Sequence, residues 1–310
     1  MKNVPIQVSN ISKQFGDVRA LDNVSLSVAQ GEMFGLIGHN GAGKSTLFKL
    51  MLGLIPPTSG TSGINGTPTA TGNFRDVRRR IGYLPENFVT YDNLTGLEVL
   101  HLFADLKRVP RAECAPVLHS VGLGHAMDRR VRGYSKGMRQ RLGFAQVLVG
   151  KPDLIFLDEP TNGLDAEGIH EFYRVLRDAQ SRGATIIITS HILAEIQERV
   201  DRLVILSGGR IAAEGTLAQL RSQLVLPSTI EAGVQPGCLA QVRDALAVLP
   251  DVALQIESVA QGDVVKVSCP ATRKIDALHL LTSMRSAVRD IVVHEPTLED
   301  LFFGYGGKHD

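Results

Sequence analysis

At 310 residues, 44% of them apolar, the chain is long enough for about two domains of roughly 150 residues with ordinary cores. Lys plus Arg total 33 against 32 for Asp plus Glu, which excludes a broad electrostatic field able to hold nucleic acid or an anionic membrane by charge alone. Cys114, Cys238 and Cys269 are odd in number, far apart and without a C-x-x-C pair, which argues against a disulfide frame or a zinc knot and for plain thiols in a reducing compartment.

The N-terminus, "MKNVPIQVSNISKQFG", lacks the apolar core of a signal peptide, and no run of about 18 apolar residues follows, so a cytoplasmic protein is expected. "IQVSNI", "SLSV" and "EMFGLIG" read as short strands, the last running into glycines and then the helical pattern "STLFKLMLGL". Residues 56–80, rich in Pro, Thr, Gly and Asn, predict hairpin or loop, and residues 95–149 are mostly helical by period. "DLIFLDEP" and "ATIIITSH" are apolar runs of the kind found in buried parallel strands, with the helix "GIHEFYRVLRDAQSR" between them. "LPSTIEAGVQPG" reads as a linker. The expected division is residues 1–225, an α/β domain with a helical subdomain over about residues 87–150, and residues 226–310. The second part reads strand, helix, two strands, helix, strand and a short closing helix, the order of a ferredoxin-like α+β sandwich.

"GLIGHNGAGKST" matches G-x-x-x-x-G-K-[ST] from Gly38 to Ser45, after a strand and before a helix, the context that gives the pattern a mechanism. The glycines let the backbone of Asn40, Gly41, Ala42 and Gly43 curl so that its N–H groups face β- and γ-phosphate oxygens of ATP, and the helix adds its positive end. Lys44 is expected to bridge the β- and γ-phosphates, Ser45 to offer a hydroxyl to Mg²⁺, and Thr46 to reach the α-phosphate. Asp158 ends an apolar strand where a carboxylate would meet the metal, and Glu159 beside it is placed to polarise the attacking water. His191 ends the next strand and faces the γ-phosphate or that water in this scheme, although a histidine at a strand end also reads as a satisfied structural residue.

A second small turn, "VRGYSKGMRQRLGF", also precedes an amphipathic helix. The order "GHNGAGKST", "YSKGMRQR", "LIFLDEPTNGLD" and "TSH" resembles the ATP-binding cassette (ABC) family of transporter ATPases over roughly residues 4–220. The resemblance implies a P-loop NTPase fold, ATP hydrolysis, and a head-to-tail homodimer. In that dimer Ser135 and Gly137 of one copy bind the γ-phosphate held by the P-loop of the other, with Asp165 near the seam. It implies that Phe15 stacks on adenine, a residue that alone also reads as core or staple. It implies that Glu86, where the family often has Gln, lies near the metal and water. Tyr134, Lys136 and Met138 depart from the family's Leu-Ser-Gly-Gly-Gln signature.

In that family a cytoplasmic helix of an integral-membrane permease rests beside the Glu86 loop. Phe88, Val89, Tyr91 and Leu94 offer apolar contacts, or simply pack the helical subdomain. The expected place is thus the cytoplasmic face of the inner membrane. The tail "HEPTLEDLFFGYGG" is similar to that of ATPases paired with six-helix exporter permeases. "GHNGAGK", with His39, and "YLPENFVTYDNLTGLEVL" resemble the ATPase of the nitrous-oxide reductase maturation system, which works with a permease and a periplasmic copper-handling protein. A drug, lipid or ion exporter ATPase is the alternative. Ribosome-associated and DNA-repair relatives are disfavoured by the single P-loop, the absence of heptads and the near-neutral charge. Cys114, His119 and His125 fit no helical face as copper ligands, and the C-terminal part is expected to be a dimer-contact or regulatory module.

Overall fold

The computed structural model describes residues 5–71, 74–222, 227–259, 262–270 and 272–294. They fall into two compact units, residues 1–217 and 218–310.

In the first unit, β1 (Ile6–Phe15) and β2 (Val18–Val28) form a long antiparallel hairpin joined on its β1 side by β4 (Ser59–Ile64) and then β5 (Thr67–Pro68). The strands run longer than the apolar patches alone predict, because polar residues alternate outward along them. The second sheet contains β3 (Met33–Ile37), β6 (Ile81–Leu84), β7 (Leu154–Leu157), β8 (Thr185–Ser190), β9 (Arg202–Ser207) and β10 (Arg210–Gly215). Their spatial order is β10-β9-β3-β8-β7-β6, parallel except for β10, which pairs with β9 across Gly208 and Gly209. Every residue of β3, β7 and β8 is buried, so these strands are apolar on both faces instead of alternating. Helix α1 (Lys44–Met51) joins the core of both sheets; the Phe48 ring meets Phe156 of β7 edge-on, centroids 5.4 Å apart. Residues 56–80, expected to be hairpin or loop, also contain a short helix, α2 (Phe74–Arg79), anchored by the fully buried Phe74.

Between β6 and β7 lie α3 (Gly96–Lys107), α4 (Cys114–Ser120) and α5 (Lys136–Leu148). Thr95 caps α3 in a reciprocal capping box with Glu98, and Ser135 caps α5 by accepting from Met138 N at 3.2 Å. Lys107 closes the other end of α5, its Nζ donating to Val149 O (2.9 Å) and Val147 O (3.2 Å); burial lowers this lysine to about 8. Cys114 is fully buried in this subdomain. Helices α6 (Ala166–Ser181) and α7 (Leu193–Ile196) follow β7 and β8, and α8 (Leu217–Ser222) follows β10.

The second unit runs β11 (Ser228–Val234), α9 (Leu239–Leu246), β12 (Ala253–Val259), β13 (Gly262–Cys269), α10 (Lys274–Ser283), β14 (Val288–His294). Its antiparallel order β12-β13-β11-β14 is the ferredoxin-like arrangement. The linker expected at residues 226–237 is therefore corrected: Ser228–Val234 is a central strand with Ile230, Ala232 and Val234 buried. Small residues and flanking Pro and Gly conceal its period of two. The expected closing helix and tail, from residue 295 onward, lie outside the described residues.

Tyr134, where the resembled signature has Leu, has a packing reason. Its hydroxyl donates to Ala126 O at 2.7 Å inside the subdomain, over Gly96, where a Cβ would stand 2.3 Å from that oxygen. Tyr134→Phe removes one of two donors to Ala126 O, which still accepts from Arg129 N at 3.0 Å, and should lower stability by about 1 kcal/mol in urea unfolding, with ATP affinity unchanged.

Candidate functional site

The chain leaves the carboxyl end of β3 through Gly38–Gly43 and enters α1 at Lys44. Gly43 takes φ +105°, and a Cβ there would stand 2.6 Å from Ala20 O, so only glycine fits. It gives α1 no side-chain cap, which leaves first-turn amides for an anion. Lys44, almost fully buried, donates from Nζ to Gly38 O (2.6 Å) and lies 3.3 Å from Glu159 Oε1, an ion pair without hydrogen-bond geometry.

Asp158 and Glu159 leave the adjacent strand end. Glu159 has φ +48°, an uncommon left-handed conformation for a non-glycine residue. Oε2 of Glu159 is 2.8 Å from His191 Nδ1, which follows β8. The fully buried Thr189 hydroxyl joins the pair, accepting from Glu159 N and donating to Asp158 Oδ1, each at 2.8 Å. Burial, reinforced by the Asp158 charge, raises the phenol of Tyr83 on β6 to about 12, so it stays neutral.

These groups meet at a cavity of about 590 Å³ lined by His39, Asn40, Gly41, Gly43, Lys44, Ser45, Thr46, Glu86, Glu159 and His191. Val18, Arg19, Ala20 and Asn162 complete the lining. Ala42 is buried behind the loop and Asp158 behind the strand ends. Phe15 does not line the cavity: half exposed, its ring carries the Lys13 ammonium 4.9 Å from its centroid, and its cross-strand partner Val18 lines the cavity instead.

Ser135, Gly137 and Asp165 line a different cavity, of about 330 Å³, with Met138, His125 and Arg141. The two cavities share no lining residue. Asp165 also caps α6, accepting from Gly168 N at 2.9 Å. In the Glu86–Leu94 segment Phe88 packs near Phe103, centroids 6.4 Å apart, while Val89 and Tyr91 are exposed.

Sequence reasoning missed Thr189, Asn162 and the Val18–Ala20 wall. The available signal for Thr189 is a hydroxyl residue directly after the apolar run Ile186–Ile188 of a buried parallel strand, two positions before His191.

A strand–glycine loop–helix unit with its lysine at the carboxyl ends of parallel strands, facing paired carboxylates, defines a P-loop nucleotide-binding protein. Residues 21–162 match the family model described as ABC transporter. An uncharacterized ABC transporter ATP-binding protein of Nostoc sp. is 44% identical over 209 residues, 66% of this chain and 62% of the relative. The bacitracin transport ATP-binding protein BcrA of Bacillus licheniformis is 40% identical over 67% of this chain and 69% of its own. The daunorubicin resistance ATP-binding protein DrrA3 of Streptomyces coeruleorubidus is 32% identical over 99% of this chain and 97% of its own. A solved ATP binding subunit of an ABC transporter matches with a TM-score of 0.66 at 36% identity, covering 70% of this chain and 92% of that one. The dimeric post-hydrolysis state of the ATP-binding cassette MJ0796, bound to ADP and Pi, matches with a TM-score of 0.64 at 25% identity, covering 68% and 98%. The chain belongs to the family of ABC transporter ATP-binding proteins. The matched stretch spans less than two thirds of the Nostoc relative's own length.

Thr189→Val keeps shape but orphans a buried amide and a carboxylate oxygen. Stability should fall by about 2 to 3 kcal/mol, measured by chemical denaturation.

Proposed function

We propose that the chain hydrolyses ATP and that hydrolysis drives a membrane permease. The observation that carries this is the convergence of Lys44, Glu159 and His191 in one cavity, with 3.3 Å between Lys44 and Glu159 and 2.8 Å between Glu159 and His191. The P-loop amides and Lys44 would hold the β- and γ-phosphates. Ser45 and Glu86 on the cavity wall, with Asp158 behind it acting through a water, would offer hard oxygens to Mg²⁺, which when bound would neutralise phosphate charge. Glu159 accepts the proton of a water as its oxygen bonds to the γ-phosphorus and the bond to the ADP oxygen breaks. With Glu159 ionised, His191 donates from Nδ1 and fixes the carboxylate's direction.

Ser135 and Gly137 face a cavity separate from the P-loop, which supports a reading in which a second copy supplies them to each nucleotide. The dimeric, ADP-bound MJ0796 structure supports the same arrangement. Asp165 then lies at the seam, and Phe15, the cross-strand partner of Val18 on the cavity wall, would stack on adenine. Permease contact through the Glu86–Leu94 segment, on the cytoplasmic side, is supported by the exposure of Val89 and Tyr91. This segment is tied to the Ser135 loop by Arg139–Asp92 (2.6 Å) and by Val131 N to Leu94 O (2.8 Å), a route from permease to phosphate.

The transported species defines two readings. BcrA and DrrA3 favour an exporter of bulky compounds. His39 in "GHNGAGK" and the run "YLPENFVTYDNLTGLEVL" favour delivery for nitrous-oxide reductase maturation, with a periplasmic partner acting through the permease. Co-purification decides: a permease together with a periplasmic copper-handling protein supports maturation, and a permease alone supports general export.

Glu159→Gln should bind ATP, lose at least about 100-fold in turnover and accumulate as a dimer on size exclusion; rapid hydrolysis by it shows that the base is another group. Lys44→Ala should lose ATP binding in calorimetry, because the phosphate-binding loop then keeps only its neutral amide donors.

A further inference from the structure

Helix α5 begins at the Ser135 turn, yet its own side chains also reach the loop that carries Glu159. Gln140, one turn into α5, donates from Nε2 to Pro160 O at 2.7 Å. That carbonyl belongs to the residue directly after Glu159. Upstream, the Glu159 amide is held by Thr189, so the left-handed Glu159 is pinned on both sides, once from β8 and once from α5. We propose that Gln140 is a positioning residue, which fixes the direction of this chain's own Glu159 to the position of the Ser135 turn. The inference rests on the ATPase reading above.

Two further contacts press the same parts together. The methylenes of Lys136 lie over Gly163, where a Cβ would stand 2.8 Å from Lys136 Cε, and a Cβ on Gly137 would stand 3.3 Å from Gly163 O. The first two turns of α5 therefore bear on the loop at Pro160 and at Gly163. The far end of α5 is held by Lys107 and by Gln146, which donates to Tyr83 O at 2.7 Å. A helix anchored at its far end transmits a displacement of its first turn to the loop beneath it. Gln140, Arg141, Phe144, Pro160, Leu164 and Phe172 line a narrow gap of about 10 Å³, room for about one water beside the amide.

The consequence is a crossed connection. A phosphate seated on Ser135 belongs to the nucleotide of the second copy, while Gln140 acts on the Glu159 of its own copy. Each site would then report its occupancy to the other's base.

Gln140→Met keeps the volume and removes the donor, and Gln140→Lys keeps a donor. Both substitutions are read in the full-length chain by steady-state ATP hydrolysis and by hydrogen exchange of the Asn162 and Leu164 amides, which bond within the loop. The Gln140→Met chain should lose about tenfold in kcat with KM for ATP within about twofold, and the two amides should exchange about tenfold faster; Gln140→Lys should recover most of both. Wild-type kcat and wild-type loop exchange in Gln140→Met overturn the proposal, as does faster exchange spread equally through α5 and β7, which marks general loosening. If the wild-type chain hydrolyses no ATP, the ATPase reading falls, and the exchange measurement still decides whether Gln140 fixes the loop.

Discussion

Strands β3, β8 and β7 lie side by side and parallel, and this adjacency is the constraint on which the site depends. Their carboxyl ends release the glycine loop, His191 and the Asp158–Glu159 pair at one edge of the sheet. Residues well over a hundred positions apart in sequence thereby come within 3.3 Å. The Thr189 hydroxyl makes the arrangement rigid, since one buried group bonds both carboxylate-bearing residues. Parallel strands must be covered on both faces, and α1 packs on this sheet through Phe48 against Phe156.

The separation of the two cavities within one chain bears equally on function. Ser135 and Gly137 form a turn shaped like a phosphate cradle, but the fold directs it away from the P-loop. A chain with this layout presents two unlike cavities, the arrangement that the proposed head-to-tail pairing uses. The helical subdomain between β6 and β7 unites three parts of the machine: the Glu86–Leu94 segment, the Ser135 turn and the contacts onto the Glu159 loop.

Much of this is legible in the sequence because the signals are local. The strand–loop–helix around Lys44, the apolar run ending at Asp158 and the order of the second unit all rest on periodicity and turn residues within about ten positions. What escapes a sequence reading is set by distant packing. Thr189 gains its meaning only when β8 lies beside β7, and Gln140 only when α5 crosses the loop after Glu159. Ser228–Val234 resembles a linker because its buried face is built from Ile230, Ala232 and Val234 with a glycine and a threonine nearby, too small an apolar signal against its Pro and Gly flanks. The cross-strand pairing of Phe15 with Val18, which sets Phe15 beside the cavity wall, is likewise a matter of register between β1 and β2.

The backbone at Glu159 is costly. An L-residue in the left-handed region gives up about 1 kcal/mol or more, and here the fold accepts that penalty at the one residue whose carboxylate must point into the cavity. Glycine at this position would relax the peptide but would leave the buried Lys44 ammonium without its carboxylate partner. Among the described residues seven non-glycines hold a positive φ, and Glu159 is the one of them that lines the cavity, so part of the attainable stability is given up where that carboxylate is aimed.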